Sequence, residues 1–150
     1  MNPVVTNKSH FGVYVIILKN NAILLVRKSR GPYTGKLDLP GGRPEHAELP
    51  GKTAAREVLE ETGIVIHKAL LFEHYAVIAQ QSIAQENKQE NMHHMGVVYL
   101  AIDYDDTNLI KEMDVEDSLG AQWYSLDSLT QKDCSPFAWY AVRDTKKLNV

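Results

Sequence analysis

Residues 42–64 read GRPEHAELPGKTAAREVLEETGI, and this stretch decides the fold. Pro50 suits a first helical turn, because its ring presets φ and its missing N–H would have no partner there. Gly63 suits a C-terminal cap, where the chain turns left-handed. The pattern therefore predicts a helix over 50–62. At about 100° per residue, Glu57, Glu60 and Glu61 fall within an arc of roughly 100°. Ala55, Val58, Leu59 and Thr62 gather on the opposite side and are expected to face the core.

Like charges three and four residues apart repel, so helix stability does not call for these three carboxylates. A hard divalent cation converts the repulsion into attraction, and Mg²⁺ takes oxygen ligands while keeping waters for substrate phosphates. Arg56 can reach Glu60 one turn later and hold a carboxylate through a forked hydrogen bond. Upstream, Pro40-Gly41-Gly42 lacks bulk where the chain must turn, which lets backbone approach a metal or phosphate. Glu48 precedes the helix, where the helix dipole favours negative charge.

Outward from this segment the chain is β-rich. Residues 1–10 read as a polar lead-in, and Phe11–Leu18 (FGVYVIIL) as a buried strand. Lys19-Asn20-Asn21 is a turn signal before a second strand at Ala22–Val26. Residues 28–36 form a Gly/Pro loop. After the helix, Ile64–Ile66 and Leu70–Ala79 read as strands, 80–94 (QQSIAQENKQENMHH) as a mobile polar loop, and Gly96–Ile102 as a strong strand. Residues 103–117 hold seven acids and one lysine and read as an exposed acidic loop. A last strand at Trp123–Leu126 leads to a short turn capped by Asp127. Ser135-Pro136 starts a helix running to about Lys147. No repeat or linker interrupts the 150 residues, so one domain over 1–150 is expected, an α/β mixed sheet with helices on both faces.

Hydrophobic residues make up 44 % and charged residues 23 %, a globular balance. The net charge of −3 offers no general attraction to nucleic acid or anionic lipid. Phe11–Leu18 is too short to span a bilayer. One cysteine, Cys134, excludes an intrachain disulfide and fits a reducing, cytoplasmic setting. Its surroundings carry no Cys/His pattern of a nucleophile. The six histidines show no metal-ligand spacing.

The segment resembles the Nudix box, G-x5-E-x7-R-E-U-x-E-E-x-G-U with U aliphatic, at Gly42, Glu48, Arg56, Glu57, Val58, Glu60, Glu61, Gly63 and Ile64. The fragment REVLEE alone would suit any solvated acidic helix; the full spacing does not. The resemblance implies the Nudix fold, a mixed sheet sandwiched between helices, and hydrolysis of a nucleoside diphosphate linked to another moiety. It implies that Glu57, Glu60 and Glu61 bind Mg²⁺ or Mn²⁺, joined by the Gly41 carbonyl, and that Arg56 orients a glutamate. Two positions depart from the family's habit: Leu37 stands where Trp is frequent, and Leu49 where a capping Ser, Thr or Asp is frequent. Losing such a cap typically costs about 1 kcal/mol, and neither change touches a ligand.

A general base is expected either in the box or on the acidic loop, at Glu116 or Asp117, with Glu112 nearby. Arg27, Lys28, Arg30 and Arg43 are candidates to meet phosphates, and Tyr33, Phe137 and Trp139 to stack on a base. No proline stands between Pro50 and Pro136, against the usual ADP-ribose pattern, and residues 79–82 (Ala-Gln-Gln-Ser) lack the tyrosine of diadenosine-polyphosphate enzymes. Elimination favours a MutT-like nucleoside triphosphate pyrophosphatase. The alternatives left open are ADP-ribose, nucleotide-sugar or dinucleotide hydrolysis and a non-catalytic nucleotide-binding regulator. The expected partner is a small nucleotide, with neither nucleic acid nor membrane, and a homodimer stays open.

Overall fold

The computed structural model describes residues 2–110 and 118–148. Strands β1 (Val4–Ile16), β2 (Leu18–Lys19), β3 (Ala22–Lys28), β4 (Leu37–Asp38) and β5 (Gly41–Gly42) precede helix α1 (Pro50–Thr62). Strands β6 (Val65–Ile83), β7 (Lys88–Asp105) and β8 (Ser118–Ser125) follow, and helix α2 (Pro136–Lys146) closes the fold. One sheet has the order β5-β1-β7-β6; in the other, β3 pairs with β2, β4 and β8. The β1–β7 ladder is parallel and the others antiparallel, so the architecture is mixed, as the sequence predicts.

The apolar run of β1 is buried on both faces, which is why it does not alternate with polar residues. Val13, Val15 and Ile17 pack with Leu24 and Val26 of β3 and Ala54 and Val58 of α1. Tyr14 and Ile16 pack with Ile23, Leu25 and Leu39 and with Phe137, Ala138, Ala141 and Val142 of α2. Each helix thus covers its own core layer. Fully burying a side chain such as Phe137 contributes about 1.5–3 kcal/mol.

Three expectations change. The polar lead-in and the polar loop are both strand: residues 4–16 of β1 pair in parallel with 88–100 of β7, and β6 pairs with β7 from Val65–Asp105 out to Ile83–Lys88. A short 3-10 turn, Ala84–Glu86, with Asn87 at φ 49°, joins β6 to β7. Backbone ladders hold this arm together, aided by Lys8–Glu90 at 3.1 Å and Asn91 Nδ2 donating to Asn7 Oδ1 at 3.2 Å. Its side chains are largely exposed, so no hydrophobic periodicity marks it. In α1 the buried residues are Thr53, Ala54, Val58 and Thr62, whereas Leu59 is 50 % exposed. The core-facing stripe is therefore rotated toward the glutamates. Near Asp127, the cap is a Thr130–Asp133 capping box instead.

Gly63 ends α1 at φ 78°, and a Cβ there would lie 2.2 Å from the Asn108 carbonyl oxygen. Thr62 O meanwhile accepts from Ile110 N at 2.8 Å, tying the helix end to the chain after β7. Gly63→Ala is therefore expected to lower stability by about 1–3 kcal/mol, read as a lower denaturant midpoint in chemical unfolding. An unchanged midpoint would show that this turn tolerates a side chain.

Candidate metal and diphosphate site

The site forms where β5 meets α1. Gly41 and Gly42 pair with Tyr14 and Val13 of β1, and Pro40 O accepts from Val15 N at 3.0 Å. That pairing presses the glycine turn against the sheet. Gly41 adopts φ 154°, and a Cβ on it would lie 2.1 Å from Val13 O. A Cβ on Gly42 would lie 2.6–2.8 Å from the Glu57 carboxylate. The missing side chains leave the cradle in which the box carboxylates sit.

Arg56 is the hub. Its Nε and Nη2 donate to Glu48 Oε2 and Oε1 at 2.8 and 2.9 Å, a two-pronged pair. Nη1 donates to Glu57 Oε1 at 3.0 Å and more loosely to Glu60 Oε2 at 3.3 Å. Nη2 also donates to Arg43 O at 3.1 Å. The fork thus closes on Glu48, and Glu60 is reached one turn later by Nη1 alone. Glu48 Oε1 accepts further from Thr53 Oγ1 at 2.7 Å and Glu45 N at 3.0 Å. Arg56 first, then the Glu45 amide and Thr53, hold its carboxyl down to about 2. Thr53 was not singled out by sequence. Its one signal is a position five residues after Glu48, at the first turn of the helix whose start both residues flank.

The remaining carboxylates are crowded and poorly solvated. Burial pushes Glu61 up to about 8, against the opposing Gly41 N–H, which donates to Oε1 at 3.2 Å. Burial likewise raises Glu57, partly offset by Arg56. Glu60 is the outermost, with its side chain 57 % exposed. Among the described residues no three carboxylates converge on one point. Glu57 and Glu60 turn to Arg56, and Glu61 to Gly41. The donor chemistry nevertheless fits a hard divalent cation: three carboxylates on one helix face, two of them poorly solvated, beside a glycine turn without side chains. Glu57, Glu60, Glu61 and the Gly41 carbonyl are the groups that could hold it.

The cationic candidates separate. Arg43 Nε donates to His10 Nδ1 at 3.0 Å, beside the box. Lys28 lies 4.0 Å from Asp38 Oδ2, and its charge opposes the rise of Glu61. Arg27 is not brought to the box: Nη1 donates to Gly35 O at 2.8 Å in a separate cavity with Lys36 and Lys132. Phe137 is a core residue, and Trp139 packs beside it, half-buried. Glu112, Glu116 and Asp117 lie outside the described residues.

A buried aromatic cluster that the sequence did not reveal flanks the site. His94 stacks on Phe137 at 4.2 Å and shares a 2.7 Å hydrogen bond with the Tyr14 hydroxyl. Gly12 and Gly96, paired across β1 and β7, make room for the Tyr14 and Phe137 rings.

A NUDIX domain model matches residues 8–144, and the chain belongs to that family. It is 36 % identical over 67 residues to an 8-oxo-dGTP diphosphatase of Escherichia coli, covering 44 % of this chain and 52 % of that protein. It is 42 % identical over 50 residues to an ADP-ribose pyrophosphatase of Methanocaldococcus jannaschii, covering 33 % and 30 %. The aligned parts thus span about a third to a half of these relatives. The crystal structure of a MutT NUDIX hydrolase from Burkholderia pseudomallei superposes with TM-score 0.69 at 24 % identity, covering 91 % of this chain and 97 % of that one, and shows the shared fold.

Burial, then the charges of His10 and Lys28, push His94 down to about 4 from 6.5. Below pH 6.5 the unfolded chain takes up a proton that folded His94 refuses until about 4. Stability should therefore fall as pH drops from 6.5 toward 4, and stay level above 6.5 as far as this group is concerned. His94→Gln is expected to flatten that slope in thermal melts across the window. An identical slope in the variant would remove His94 as its source.

Proposed function

We propose that this chain is a divalent-cation-dependent pyrophosphatase of the MutT type, which cleaves a nucleoside triphosphate to the monophosphate and pyrophosphate. The observation that carries this reading is the juxtaposition, on one helix, of the Glu57–Glu60–Glu61 face and the Arg56–Glu48 fork, both set against the Gly41–Gly42 turn. A structural acidic helix has no use for a locked guanidinium at its centre or for a side-chain-free turn opposite. The E. coli relative, an 8-oxo-dGTP diphosphatase, supports a triphosphate substrate. The M. jannaschii relative, an ADP-ribose pyrophosphatase, keeps ADP-ribose as the second candidate.

Glu57, Glu60, Glu61 and the Gly41 carbonyl would hold Mg²⁺ or Mn²⁺. When bound, the cation supplies charge neutralisation at the diphosphate and a more acidic water. Arg56, fixed by Glu48, which Thr53 holds in turn, keeps Glu57 and Glu60 on the reacting side of the helix. Arg43 and Lys28 are the cations proposed to meet phosphate oxygens, and His10 holds Arg43 by its Nε. In hydrolysis the water oxygen bonds to phosphorus, the bridging P–O bond breaks, and the water's proton passes to a carboxylate. Glu116 and Asp117 remain the proposed acceptors from outside the box.

Incubation with Mg²⁺ or Mn²⁺ and a panel of nucleoside triphosphates, nucleotide sugars, ADP-ribose and dinucleotides should release a nucleoside monophosphate, and chelator should stop it. Glu60→Gln is expected to lower kcat by about 10² while circular dichroism shows an intact fold, because Glu60 faces solvent. Turnover of nothing in the panel would overturn the hydrolase reading. Near-normal kcat in the variant at saturating metal would overturn the ligand assignment.

A further inference from the structure

The arm of β1, β7 and β6 reaches away from the core. Its strands pair through residues 4–9, 88–93 and 78–83, and none of these side chains is buried. Three strands held by their backbones alone are marginal in water, because ordering them costs entropy that no apolar burial returns. One edge of the arm is β6, whose ladder on β7 slips three times. The other is β1, which pairs residue for residue with β7 from Val4–Lys88 to Ile16–Leu100. Before β5, which reaches only Val13 and Tyr14, the outer side of β1 carries no strand among the described residues.

Parity shows which groups this edge offers. A strand residue turns its N–H and C=O to one side, and the next residue turns them to the other. Val4 N donates to Asn87 O, toward β7, and Val15 N donates to Pro40 O, toward β5. Even-numbered residues of β1 therefore face β7, and Val5, Asn7 and Ser9 present their main-chain donors and acceptors outward. Among the described residues these groups have no main-chain partner. The open stretch is stopped at both ends. Pro3 shares the outward parity but has no N–H to offer. At the other end Arg43, bound to His10, follows directly on β5. The three outward residues between these stops are centred on Asn7.

We propose that this edge binds the same edge of a second copy of the chain, antiparallel about a two-fold axis through Asn7. Val5 then pairs with the partner's Ser9, Asn7 with the partner's Asn7, and Ser9 with the partner's Val5. Each pair exchanges two main-chain hydrogen bonds, about six in all. The edge suits itself because the register that mates all three outward residues is also the symmetric one. Thr6 faces the partner's Lys8, so no like charges stand opposite each other. Exposed Phe11 faces the partner's Pro3, apolar against apolar. The arm brings no net charge to the contact, since Lys8 pairs with Glu90 and Lys88 with Glu86. Two arms joined in this way form one continuous sheet, and each supplies the neighbouring strand that the other lacks. The contact does not depend on the hydrolase reading.

Analytical ultracentrifugation of the full chain tests it. The weight-average mass should climb from 16.9 kDa toward twice that value as protein is raised to about 100 µM, because a small strand-edge contact supports a weak dimer. Val5→Pro removes two outward N–H donors per dimer and none that faces β7. It should weaken self-association at least about tenfold and leave the circular dichroism unchanged. Asn7 tests the register, because the axis sets it against its own copy. Asn7→Lys and Asn7→Glu should each weaken self-association about 3–10-fold, and a mixture of the two should associate about as well as the wild type. A wild type that stays monomeric at that concentration would overturn the proposal and leave the edge to an extended segment of another protein. An undiminished dimer in Val5→Pro, or in both Asn7 variants, would place the contact elsewhere and overturn it too. So would a mixture that associates no better than its components, since charge would then not face charge across the axis. If Val5→Pro fails to fold, the two Asn7 variants decide alone.

Discussion

Everything at the site depends on one guanidinium. Arg56 sits mid-helix and is grasped from outside the helix by Glu48, which is itself held by Thr53 and the Glu45 amide. The fork fixes Arg56, and Arg56 in turn fixes Glu57 and Glu60 through a single nitrogen. Without that clamp three carboxylates on one face would splay into solvent to relieve their repulsion. A planar fork suits this task better than a lysine ammonium, because it can grip two carboxylates at fixed angles simultaneously.

Around the clamp, burial is used selectively. Glu48 accepts from Arg56, Thr53 and the Glu45 amide and stays ionised well into acid, whereas Glu61, at the far end of the helix, is pushed up to about 8 by burial. One carboxylate just ahead of the helix is therefore stabilised by partners, and another on its last turn is destabilised by burial. The first sort suits a scaffold and the second a group that gains most from a cation. The stripe that buries Ala54 and Val58 passes beside Glu57 and Glu61, which is how these two come to be poorly solvated while Glu60 is not.

How much of this was legible in sequence depended on where the physical signal lay. Pro50 and Gly63 bound α1 because their backbone chemistry is local, and the structure ends the helix at those residues. The box spacing identified the carboxylates for the same reason. The reach of Arg56 to Glu60 follows from helical spacing, whereas its fork on Glu48 depends on the chain's turn at Glu45–Glu48, which no helical period encodes. Residues 80–94 were misread because exposed strands held by their backbones carry no hydrophobic pattern. The Asp38–Ser135 contact, His94 and the Gly12–Gly96 pair came together only through β1–β7 register and the docking of α2, which no local motif encodes.

Among the described residues, the long arm made by β6 and β7 leaves β6 as the last strand of its sheet, and the Leu70 and Leu71 side chains lie exposed on it. An outermost strand of 19 residues would ordinarily be a template on which other chains add as further strands and aggregate. Here the ladder slips between Ile66 and Lys68, between Lys68 and Ala69, and between Leu71 and Glu73, bracketing the two leucines with irregular backbone. Such bulges bend and overtwist a strand, so that a straight partner cannot register along it. Beyond them Gln80, Gln81 and Ser82 make the outer stretch polar. The irregular geometry of one strand thus opposes edge-to-edge addition where a net charge of only −3 gives weak repulsion between copies.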